Sequence, residues 1–146
     1  MIKKTIYLLF TFSFLLSIIT PAAFSYQFRD YTWGMPQKAV KERLVEEGRE
    51  ITEERNVLYY KDKLFNIDCR VVFLFTLTGH ALCGIDLIWN NTDVGPKLKE
   101  ELTKKYGEPV KLNAYTEEYT WTGPSEYEYD NLSLDYNYGD TRLQYY

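Results

Sequence analysis

The sequence predicts an α+β fold: a tandem unit of one helix plus three antiparallel strands, with two helices packed on one face of an antiparallel sheet. Three observations point there. Apolar residues at helical spacing occur in two stretches, each with a Pro near its start and a Gly at its end. Rows alternating at period two follow each stretch, as half-buried strands require. The punctuation also recurs at nearly constant spacing, because Pro36 and Pro96 lie 60 residues apart and Gly48 and Gly107 lie 59 apart. At 146 residues, 45% apolar and 26% charged, the chain has core enough for one domain and is not of disordered composition.

The first 25 residues stand apart from the rest. Lys3 and Lys4 precede an apolar run over 6–19 broken only by Thr and Ser, Pro21 then ends any helix, and Ala23-Phe24-Ser25 places small residues where signal peptidase reads. A run of 14 falls short of the roughly 20 apolar residues that span a bilayer as helix. Residues 1–25 are therefore expected to be a signal peptide cut before Tyr26, with an uncleaved anchor over 6–24 as the alternative. Residues 26–146 are expected to form a single α+β domain, periplasmic or secreted. Without Lys3 and Lys4 the formal charge of −4 becomes −6. Such a balance speaks against nucleic acid, and against a membrane surface after signal cleavage, since both reward a basic face.

The expected pseudo-repeats run over 36–89 and 93–146, after a short strand at Gln27–Trp33. In the first, Pro36–Glu47 carries Val40, Leu44 and Val45 at helical spacing and Gly48 supplies the stop. In the second, Asp93 is the N-cap, Leu98, Leu102 and Tyr106 follow four apart, and Gly107 closes the helix. Strand rows then correspond: Val71, Phe73 and Phe75 in one unit match Leu132, Leu134 and Tyr136 in the other.

Leu77-Thr78-Gly79 suits a three-residue hairpin loop with Gly79 in the left-handed position. That loop pairs Phe75 with Ala81, Phe73 with Cys83, Val71 with Ile85 and Cys69 with Leu87, making one apolar face and setting Arg70 opposite Asp86. An exported chain with two cysteines invites a disulfide between Cys69 and Cys83. This register instead separates them by four residues, roughly 13 Å, beyond disulfide reach, and makes both small core residues. The disulfide stays open as the second reading.

Motifs for chemistry are sparse. His80, the sole histidine, falls at the hairpin turn, where a solvated turn residue is the expected role. No clustered His, Cys and carboxylate spacing suits a metal, and no phosphate loop or nucleophile elbow occurs, so neither cofactor nor catalytic residue is expected. A remote alternative is a weak hydrolase using Glu117 or Glu118.

Aromatic content marks the second half, with Tyr119, Trp121, Tyr127 and Tyr129 within eleven residues. Tyrosine fits strands and fills a thin core. The functional reading is a binding face on the open side of the sheet, built on these four rings.

Phe28-Arg29-Asp30-Tyr31-Thr32-Trp33-Gly34-Met35 running into a helix resembles the "strand, Trp-Gly-Met, helix" opening of a family of small exported bacterial proteins. Lys105-Tyr106-Gly107-Glu108-Pro109, followed by Tyr119-Thr120-Trp121 and a terminal hairpin, is similar to their second half. The tandem plan also resembles the scaffold of beta-lactamase inhibitory protein and, more distantly, of the small outer-membrane assembly lipoprotein, although the lipobox Cys of the latter is missing. The resemblance implies a non-catalytic binding module whose partner is an envelope protein. A glycan or small ligand stacked on the Tyr and Trp rings is the alternative.

Overall fold

The computed structural model describes residues 28–122, 131–137 and 139–146. The expected signal segment, Gln27, Tyr127 and Tyr129 lie outside the described residues. Within them the chain runs through helix α1 (Gln37–Glu46), strands β1 (Thr52–Glu54), β2 (Val57–Leu64), β3 (Ile67–Phe75) and β4 (Leu82–Trp89). Helix α2 (Val94–Tyr106) follows, then β5 (Val110–Lys111), β6 (Glu118–Thr122), β7 (Asn131–Asp135) and β8 (Thr141–Tyr145). All eight strands join one antiparallel sheet in the order β1-β2-β3-β4-β8-β7-β6-β5.

This corrects the expected fold class. The molecule is dominated by a single eight-stranded sheet, with four strands in each half rather than three, and the helices do not make up the second layer of a sandwich. Each is fastened to its own half. Pro36, just before α1, bridges Ala81; the Gln37 N–H donates to the His80 carbonyl and the Gln37 side chain to the Arg55 carbonyl. Helix α2 lies beside β7 and β8. The strands missed are β1 and β5, and the reason is physical. Thr52–Glu54 is exposed at every position and β5 is two residues long, so neither carries an alternating apolar row.

The strand expected at Gln27–Trp33 is also absent over the described part, 28–33. Arg29 adopts a left-handed φ of 56°, turning the chain so that Phe28 and Tyr31 both plug the core. Their ring centroids lie 6.5 and 4.8 Å from that of Phe73, edge-on. Pairing with the sheet begins only at Gly34 and Met35, which exchange backbone hydrogen bonds with Leu82.

One face of the sheet carries the core. Register places Leu58, Tyr60, Val71, Phe73, Ile85, Leu87, Leu143, Leu132, Leu134, Tyr119 and Trp121 on that face, all buried. Val40 and Leu44 of α1 and Val94, Leu98 and Leu102 of α2 belong to the same cluster. Burying a side chain of this size contributes about 1.5–3 kcal/mol, so the sheet face dominates stability. Thr141 is the polar exception, and its hydroxyl donates to the Asn91 carbonyl at 2.7 Å.

The β3–β4 hairpin departs from its expected register by two residues. Phe73 faces Ile85 and Val71 faces Leu87, with an irregularity between Leu74 and Phe75 that lets Phe75 face Leu82. The loop is longer than three residues: the Thr76 N–H bonds the Ala81 carbonyl, and His80, not Gly79, takes the left-handed conformation at φ 45°. A shift of two preserves side-chain parity, which is why Val71, Phe73, Ile85 and Leu87 remain in the core. At the bulge parity breaks, and Cys83 turns outward, its Sγ 3.4 Å from the Leu74 carbonyl. The expectation of two core cysteines thus holds for Cys69 alone. Both thiols are free, Cys69 buried and Cys83 exposed.

Candidate functional site

The first half carries an open cleft of 880 Å³, lined by Tyr59, Lys61, Asp62 and Lys63 of β2, Asp68, Cys69 and Arg70 of β3, Ile88 of β4, and Asn90 just beyond. Period-two alternation puts Tyr59, Lys61, Arg70 and Ile88 outward where their neighbours Leu58, Tyr60, Val71 and Leu87 point into the core. Tyr59 and Ile88 supply apolar area, and the Arg70 guanidinium sits over the Tyr59 ring, 5.8 Å from its centroid.

The charges of the cleft divide into compensated and uncompensated. Lys63 faces Asp68 across the strands with Nζ 3.9 Å from the carboxylate. Asp62, at the margin of the cleft, belongs to a network on the core side: Arg29 reaches it at 2.9 Å and Arg49 at 3.2 Å. Burial pushes the Asp62 carboxyl up, but the Lys63 N–H, Arg29 and Arg49 together hold it below the usual carboxylate range. Lys61 and Arg70 are paired directly opposite one another, and neither reaches a carboxylate among the described residues. The sequence reading missed this pair because it set Arg70 opposite Asp86. With the register moved by two, Arg70 faces Ile88 and Lys61, while Asp86 faces Val72 and is met by Gln144 at 3.2 Å and Arg142 at 3.7 Å.

The aromatic residues singled out from sequence lie elsewhere. Trp121 is 3% exposed, and its indole N–H donates to the Gly107 carbonyl at 2.9 Å, fastening β6 to the end of α2. Tyr119 is 6% exposed, stacked on Tyr136 with centroids 6.0 Å apart, with Lys99 Nζ 3.8 Å from its ring centre. Both face the core rather than the open side of the sheet. Glu117 accepts hydrogen bonds from the Tyr119 and Tyr136 hydroxyls and from Lys111. The Tyr119 bond, then the Lys111 bond, hold its carboxyl below the usual range, which suits a fixed anion and not a proton donor. Burial raises the Cys69 thiol to about 11, with the Asp62 charge adding to it, and burial also raises Cys83. Neither is an activated thiolate. His80 occupies the exposed hairpin loop.

Among the described residues no group of three or more His, Cys, Asp and Glu is placed to hold a metal, and no helix is long and apolar enough to cross a membrane. A scan against family models finds no match, and searches of curated proteins and of solved structures likewise find none.

Proposed function

We propose that this chain is an exported, non-catalytic binding module of the bacterial envelope, engaging a partner protein through the outward face of its sheet. The observation that carries this reading is the 880 Å³ cleft on that face, where Tyr59 and Ile88 lie among three cations and two aspartates, and where Lys61 and Arg70 have no carboxylate partner among the described residues. Large amphipathic rings beside Arg are the side chains that contribute most at protein interfaces. Two further points support it. The two thiols are held protonated by burial, which opposes nucleophilic chemistry at either. The leader residues Lys3, Lys4 and 6–19 argue for export, and the tandem plan resembles scaffolds that bind proteins.

The test is a pull-down from an envelope extract with the mature protein, compared with a variant in which Tyr59→Ala removes the platform and Asn90→Trp fills the cleft. A partner retained by the wild type and lost by the folded variant supports the reading. A partner retained equally by both, or a hydrolytic activity abolished by Glu117→Gln, overturns it.

A further inference from the structure

Lys61 and Arg70 form a cross-strand pair of like charge, an arrangement that destabilises a sheet when nothing lies between the two side chains. Directly opposed residues have Cβ atoms about 4.5–5.5 Å apart, so the two cations share one patch of solvent. The pair immediately beside it, Lys63 with Asp68, is of opposite charge. Asp62 cannot neutralise the patch because Arg29 and Arg49 hold it from the other side of the strand.

The second half of the molecule shows that the fold does not require these charges. Leu87 faces Leu143 at the centre of the β4–β8 pairing; Val71 faces Leu87 as Leu134 faces Leu143; Tyr60 faces Val71 as Tyr119 faces Leu134. The strand rows of the two halves thus match two residues further along than the expected pairing of Val71 with Leu132, and stepping one residue on, the position of Lys61 opposite Arg70 corresponds to Thr120 opposite Ser133. This pair carries no charge, and the Thr120 hydroxyl donates to the Leu132 carbonyl at 3.3 Å. The same sheet position therefore holds an uncharged pair in one half and a like-charged pair in the other, and the like-charged one lies in the cleft.

We infer that Lys61 and Arg70 receive carboxylates of an acidic segment of the partner protein. Two carboxylates inserted between the opposed cations would turn a repulsive pair into charge-assisted hydrogen bonds, with the planar guanidinium of Arg70 held by the Tyr59 ring for bidentate contact. Ile88 and Tyr59 cover the backbone between the acidic side chains. The net charge of the chain is negative, so recognition here is local and not a product of long-range steering.

This inference rests on the binding-module reading and deepens it. Its test uses the mature protein, with hexaglutamate as probe and NMR amide shifts as readout at low ionic strength. Saturable shifts at Tyr59, Lys61, Arg70 and Asn90 are expected, absent with hexalysine. The variant Lys61→Thr with Arg70→Ser copies the pair of the second half. It is expected to melt no lower than the wild type and to bind hexaglutamate at least tenfold more weakly, while Lys61→Arg retains binding. No saturable shift, unchanged binding in the double variant, or equal occupancy by inorganic phosphate overturns the inference. If hexaglutamate fails while Tyr59→Ala with Asn90→Trp still loses an extract partner, only the acidic-segment inference falls. If hexaglutamate binds and no partner depends on the cleft, the module reading falls instead.

Discussion

Asp86 is an acid on the outward face that is nonetheless 6% exposed, between Val72 on one neighbouring strand and Gln144 on the other. Burial raises its carboxyl above the usual range, and the Gln144 hydrogen bond and the Arg142 charge offset only part of this. A carboxyl raised by folding adds stability in full below its unfolded pKa, and that contribution is lost as pH rises through the folded value. Asp86→Asn, which mimics the protonated state, is therefore expected to raise Tm by a few degrees at pH 7 and to converge on the wild type in acid. Thermal melts across the acidic range check this, and a lower Tm at pH 7 would show that the Arg142 pair outweighs desolvation. At this scale much was legible from sequence: the parity of Val71, Phe73, Ile85 and Leu87 survives because the register shift is even. The partners of Arg70 and Asp86 were not legible. They depend on where the extra residue of the bulge falls, and that is decided by loop geometry around His80 rather than by alternation.

At the scale of elements, the first turn of α2 sits directly against Tyr136, the residue that follows β7. A Cβ on Gly95 would lie 2.1 Å from the Tyr136 ring root, whose hydroxyl is held by Glu117 and whose face is stacked on Tyr119. The ring cannot swing away without breaking both. Gly95→Ala is expected to cost about 1–3 kcal/mol through overpacking, more than the ~0.5–1 kcal/mol that Ala gains over Gly in a helix. Urea denaturation measures the difference, and a stabilised variant would mean that α2 shifts freely on the sheet. Helix positions were readable from sequence, since α1 at Gln37–Glu46 and α2 at Val94–Tyr106 bury Val40, Leu44, Leu98 and Leu102 and end at Gly48 and Gly107, both at positive φ, although Val45 of the expected stripe is exposed. The role of Asp93 was not, because its side chain makes no capping bond. Trp121 shows a similar limit. Trp121 and Tyr119 share one parity along β6, but alternation alone does not say which face of the sheet is buried.

At the scale of the molecule, the β4–β8 pairing joins two four-stranded halves about the Leu87–Leu143 pair, and one buried cluster runs through both. A shared core leaves neither half a separate hydrophobic interior, so calorimetry is expected to show one unfolding transition with matching calorimetric and van't Hoff enthalpies. Two resolved transitions would show that the halves are independently stable.

The same pairing has a consequence for what each half is free to become. Two like-shaped halves joined edge to edge in one polypeptide behave as a tethered dimer. The tether replaces a concentration-dependent association with an intramolecular one at high effective concentration. In a true symmetric dimer a charge pair such as Lys61 with Arg70 would appear twice, and so would its cost. Tethering removes that constraint: the half with Thr120 and Ser133 keeps an uncharged pair at the position where the other carries two like charges.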